Sequence, residues 1–260
     1  MYSRLAISLS LLRKHAIELR RYWFDTVSSL ALWYVIFLLL FNGARVLVSR
    51  EELFGSTGDS LIVGYMVWIF ILGAYSRFTN VLTTAAQEGT LEQLAMCPAG
   101  IAWVCASEAA ASFLIDDLLF GGGTLILMMV TTGRYLRVDV VSIFPLLVLT
   151  LAGVYGFSYL IGGLALIFKR VESAAQLMNF VFIALIAAPA GAYPFLRFLP
   201  ISLGVELLRS VMIDGRSILT IPAVEIVLLG GVSACYLLCG LLAFRLLERV
   251  ARRRALLGHY

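Results

Sequence analysis

The chain has 260 residues, 61% of them hydrophobic and only 14% charged, with a mean hydropathy of +0.95. A soluble domain carries about 25% charged and 45–50% apolar residues, so this composition excludes an ordinary soluble fold, and no polar stretch is long enough for a second domain. The net charge of +4 rests almost wholly on arginine, with lysine only at Lys14 and Lys169. Basic residues beside apolar blocks reflect topology and anionic lipid, and no nucleic-acid partner is expected.

In chain order, residues 1–22 are predicted to form an amphipathic helix. Leu5, Leu9, Leu12, Ala16 and Leu19 recur at a 4-3-4-3 spacing on one face, with Arg13, Lys14, Arg20 and Arg21 off it. Such a helix lies in the interface plane against lipid headgroups, or packs on the protein's own surface. No small-residue cleavage site follows it, so it does not read as a secretory signal. A helix needs about 20 apolar residues to cross the hydrocarbon. Spans are predicted at 23–41, 60–78, 101–130, 141–168, 174–190 and 218–246. With both termini in the cytoplasm, thirteen Lys and Arg lie inside and seven outside, as an even number of spans requires. Between the last two spans, the segment 191–215 is broken by Pro194 and Pro200. It reads as a short, half-buried external helix with Val205, Leu208 and Met212 on its apolar face, or as a re-entrant segment. The expected fold is all-α and polytopic, one membrane domain over residues 1–260, in the plasma membrane.

The inside loop at 85–98 carries no Lys or Arg. Thr90 to Met96 is predicted as a short helix that Pro98 stops. Leu91 and Leu94 share an edge, while Glu88, Glu92 and Gln93 surround it with polar groups. A greasy edge in a polar setting suits docking into a groove on another protein; the alternative is a solvated turn.

The run Glu88-Gly89-Thr90-Leu91-Glu92-Gln93-Leu94, followed by Pro98, resembles the signature of the ABC-transporter type 2 permease family. The order of elements along the whole chain agrees with it. The resemblance implies that Glu88 to Leu94 form the coupling helix that contacts an ATPase subunit. It also implies two ATP-binding subunits as partners, a second permease copy or close relative, and export of an amphipathic, lipid-like, drug or glycan-type substrate. In that family, the external segment before the last span holds short re-entrant helices.

The remaining residues are read on their own chemistry. A P-loop needs a lysine directly after glycine, and neither lysine has one, so ATP hydrolysis is expected of a separate subunit and not of this chain. Asp116 and Asp117 fall about 20 Å along the third span. Acidic groups at such depth face a bundle interior or a wet cavity, which makes them candidates for a substrate path or gate; a helix seam is the alternative. Glu108 is expected to reach the interface. His15 and His259 are expected in solvent-accessible stretches without partners, so no catalytic site, metal or cofactor is expected. Gly231, Cys235, Cys239 and Ala243 form a small-residue stripe of the kind that brings membrane helices close. Two other function classes fit the same residues: an ion-coupled secondary transporter using Asp116 and Asp117, and a non-transporting scaffold or sensor subunit.

Overall fold

The computed structural model describes residues 4–47, 51–87, 96–97, 100–168, 171–188 and 194–253, and the described residues are helical without strands. Helix α1 (Arg4–Arg21) leads into α2 (Trp23–Leu47) and α3 (Glu51–Gln87). Next come α4 (Ile101–Thr132), α5 (Val140–Phe168) and α6 (Glu172–Ala187). A 3-10 turn (Pro194–Phe198), α7 (Pro200–Met212) and α8 (Ala223–Arg253) complete the chain. The loop that holds Glu88, Gly89, Thr90, Leu91, Glu92, Gln93 and Leu94 lies outside the described residues, as do His259 and Pro98.

Among the described residues five helices are long and apolar enough to cross a membrane: α2, α3, α4, α5 and α8. The last begins at Ala223 rather than at 218, because residues 218–220 form a turn before Pro222. The fifth expected span, 174–190, is α6, an apolar helix of 16 residues. At 1.5 Å per residue it covers about 24 Å, short of the hydrocarbon thickness. Its carbonyl end is therefore left at membrane depth, where unsatisfied backbone is costly. Helix α7 answers this: Ser202 Oγ donates to the Leu185 carbonyl at 2.9 Å, and the Arg209 guanidinium to that of Ile186 at 3.1 Å. The apolar face expected at Val205, Leu208 and Met212 is buried, and the burial extends beyond it. Ile201, Leu203, Val205, Leu207, Leu208, Val211 and Met212 are all buried in the main core, because α7 fills the space that the short α6 leaves open.

The densest packing joins α5 to α8. A Cβ on Gly240 would collide with the Gly156 carbonyl, and one on Gly156 with the Tyr236 carbonyl. Only glycine at both places permits this backbone-to-backbone approach. The packing line of α8 is Ser233, Gly240 and Phe244, all buried. The stripe of Gly231, Cys235 and Cys239 is exposed and turned away, which corrects its reading as the packing face. It lies one residue off the true line, and one residue is about 100° on a helix.

Two ion pairs link α3 to α4 and the turn that follows it. Asp59 meets Arg134, just past the end of α4, at 2.8 Å, and Arg77 meets Asp116 at 2.9 Å. Eighteen residues separate the two pairs along each segment, about 27 Å at helical rise, and apart from Asp117, next to Asp116, no charged residue lies between them. Helix α2 repeats the interval, with no charge between Asp25 and Arg45, and α8 between Glu225 and Arg245. An uncharged zone of this depth matches the hydrocarbon of a bilayer. Asp116 thus stands at the end of an uncharged zone, and the first half of α4 extends beyond it.

Candidate functional site

Helix α1 packs along that projecting half of α4. The covered face of α1 runs through Ser8, Leu12, His15 and Leu19, while Leu5 and Leu9 remain 72% and 65% exposed. The apolar face expected from the leucines is therefore rotated, and the residue at the centre of the contact is a histidine. His15 is 4% exposed. The expectation of a solvent-accessible His15 without partners is overturned: Nδ1 lies 2.7 Å from Asp116 Oδ2, and Nε2 lies 3.2 Å from Glu108 Oε1. Around it, Lys14 Nζ pairs with Glu108 at 2.9 Å, and the Ser8 and Ser107 hydroxyls meet at 3.0 Å. Glu108 thus does more than reach the interface: it anchors two consecutive residues of α1.

The His15 pKa is raised to about 9, first by its hydrogen bond to Asp116 and then by that to Glu108, against the lowering effect of burial. At neutral pH the ring is an imidazolium, and both N–H groups donate to carboxylates. From the opposite side Arg77 of α3 reaches Asp116 Oδ2 at 2.9 Å and Asp117 Oδ1 at 3.6 Å. Asp116 therefore joins three helices: α1 through His15, α3 through Arg77, and its own α4.

Neighbouring positions on an α-helix point about 100° apart, yet Asp116 and Asp117 both face Arg77. A π-helical turn at Phe113–Asp117, closed by the Leu118 N–H on the Phe113 carbonyl, widens α4 here. Single π turns occur often at functional sites. The side chain of Asp117 lies against Gly73 of α3, where a Cβ would come within 2.6 Å of Oδ1. Asp117 is 6% exposed, and its Oδ2 has no hydrogen-bond partner.

Asp116 and Asp117 lie midway along α4, the helix of the expected third span. With Asp25, in the first turn of α2, they line one cleft of about 520 Å³ between α2, α3 and α4. Residue types alone give Lys14, His15, Arg77, Glu108, Asp116 and Asp117 no reason to meet. The sign that was present is the 4-3-4 recurrence of Ser8, Leu12, His15 and Leu19, a helical face with a histidine at its centre. Among the described residues no three His, Cys, Asp or Glu side chains gather as metal ligands. The arrangement can do two things chemically: hold α1, α3 and α4 together by charge, and present carboxylate oxygen to that cleft.

Comparison of the chain with protein-family models, with curated proteins and with solved structures found no match.

Proposed function

We propose that this chain is the transmembrane permease subunit of an ATP-driven exporter of the ABC type 2 class. In this reading α6 is a short sixth span, α7 is a re-entrant helix, and both termini face the cytoplasm of a cell whose plasma membrane the chain crosses. The observation that carries the proposal is the position of the ion cluster relative to the segment Glu88 to Leu94. That segment follows directly on α3, which ends at Gln87, and Arg77 is ten residues back along the same helix. A push on the segment by an ATPase would travel along α3 to Arg77, then through Asp116 to α4 and through His15 to α1. Three helices would move together, as alternating access requires of a coupling element. The chain has no Gly-Lys pair for a P-loop, so ATP hydrolysis belongs to the partner subunits, two copies of which would serve a pair of permeases.

Co-purification tests this. The tagged chain, expressed with its candidate ATPase, should carry that ATPase through purification, and a Glu88→Lys, Leu91→Asp double variant should lose it. An ATPase that never follows the wild-type chain would reject the proposal. One observation favours a second reading: Asp117, with an unpartnered oxygen in the cleft, could carry protons in an ion-coupled transporter. That reading requires transport driven by a pH gradient without ATP.

A further inference from the structure

The cleft between α2, α3 and α4 has features that the proposed coupling role leaves unused. The charges around it do not balance. The carboxylates of Asp25, Glu108, Asp116 and Asp117 face three cations, Lys14, His15 and Arg77. The deficit has a location. Lys14 and His15 take Glu108, while His15 and Arg77 take Asp116. Asp117 keeps only the longer 3.6 Å approach of Arg77 to Oδ1, and its Oδ2 is buried without a partner. A buried carboxylate in this state is costly unless it takes up a proton or something of opposite sign completes it. Asp25 stands exposed in the same cleft.

The walls say which cation. Trp33 of α2 and Phe120 of α4 line the same cleft as the carboxylates. Aromatic faces with a nearby carboxylate bind ammonium groups, quaternary ones included. A volume of about 520 Å³ lies within the ordinary range for small-molecule sites, and is far larger than a bare metal ion needs. The cleft also sits where the uncharged runs of α3 (60–76) and α4 (118–132) meet charged residues, the kind of place at which an amphiphile puts its headgroup. Its outer wall, α2, is mostly exposed along its apolar length, with only 11% of it buried, so a tail could lie along α2 in the hydrocarbon.

We propose that this cleft binds the organic ammonium headgroup of an amphiphile, with Asp117 as its counter-ion, Asp25 at its mouth, and Trp33 and Phe120 as its aromatic walls. The headgroup could belong to a membrane lipid or to a free amphipathic cation. The site is read from the cleft alone and does not depend on an ATPase partner, so failure of the co-purification experiment leaves it standing, and the converse also holds.

The test is calorimetric titration of benzyltrimethylammonium onto the full chain in neutral detergent. The expected result is saturable binding to one site, weakened at least tenfold by Asp117→Asn. Asp25→Asn changes an exposed residue without threatening the fold and should weaken it about threefold, while Glu225→Gln, in the first turn of α8 and outside the cleft, leaves it unchanged. In phosphatidylglycerol nanodiscs, adding phosphatidylethanolamine separates the two sources. A loss of apparent affinity identifies the lipid headgroup as occupant, and unchanged affinity identifies the free cation. No saturable binding, or binding equal in wild type, Asp117→Asn and Asp25→Asn, would overturn the proposal.

Discussion

The α5–α8 seam and the α1–α3–α4 cluster are held by opposite means. At the seam, backbone touches backbone through Gly156 and Gly240, with Phe244 and Tyr159 packed edge to face beside them. Its stability is steric: there is one arrangement, and interiors packed this closely do not deform gradually. At the cluster, six charged side chains from three helices share partners, and several of them remain partly exposed. Ion pairs tolerate small shifts and exchange of partners at modest cost, whereas a collision of carbonyls does not. The comparison shows where each part of the chain can move. The α5–α8 pair, with α7 against it, is a fixed block to which much of α3 is packed, and the contacts of α1 and α4 with Arg77 are the part that can respond to a charge or a push.

The contrast can be broken most severely at the seam. Gly240→Val places two methyl groups where the Gly156 carbonyl stands, and should cost about 3 kcal/mol or more. The purified variant should lose its monodisperse peak in size-exclusion chromatography. At the cluster, Arg77→Met strips Asp116 and Asp117 of their shared guanidinium. Breaking a buried pair costs roughly 3–5 kcal/mol, but the Arg77 side chain is 43% exposed, so about 1–2 kcal/mol is expected after solvent screening. Adding Asp116→Asn to Arg77→Met should recover part of the loss in thermal melts, because the stranded charge is then gone.

A pH titration sharpens the comparison further. The His15 pKa lies above its unfolded value, so its ion pairs stabilise fully below about pH 6.5 and are lost as pH rises through about 9. Protease cleavage between α1 and α2 should speed up over that window in the wild type and show no such rise in His15→Gln. The seam, which contains no group titrating there, should be equally protected at both ends. The smallest effect belongs to Ser8→Ala, which removes one partly buried hydroxyl contact with Ser107 and should cost about 0.5–1 kcal/mol.

How much of this was legible in the sequence differs between the two regions. The membrane class, the helical content and the approximate positions of four spans follow from long apolar blocks, since hydrocarbon thickness imposes length directly. Helix α6 misled because its apolar run continues to Pro189, past its last turn, and sequence does not show that Ser202 and Arg209 will reach back to satisfy its carbonyls. The seam was placed on Cys235 and Cys239 when it lies on Gly240. A small-residue stripe shows that a helix can approach another, not which face does so. At the site, Asp116 and Asp117 were picked out as unusual acids in an apolar run, and the structure gives them partners. His15 was missed because the leucines of α1 outline a broader face than the one that packs. Uncharged intervals of sixteen to nineteen residues recur in α2, in α3, from α4 into the turn after it, and in α8, and they are legible in the sequence.

The account rests on α1 being clamped to the projecting half of α4, and a disulfide tests that directly. In a chain whose four native cysteines are replaced by alanine, Ser8→Cys and Ser107→Cys put two thiols where hydroxyls now meet at 3.0 Å. Mild oxidation should join them in nearly every molecule at neutral pH, and more slowly in a His15→Gln background. An absence of cross-linking in the folded protein, with both thiols open to a membrane-impermeant reagent, would mean that α1 lies free of α4, and the three-helix cluster would fall with it.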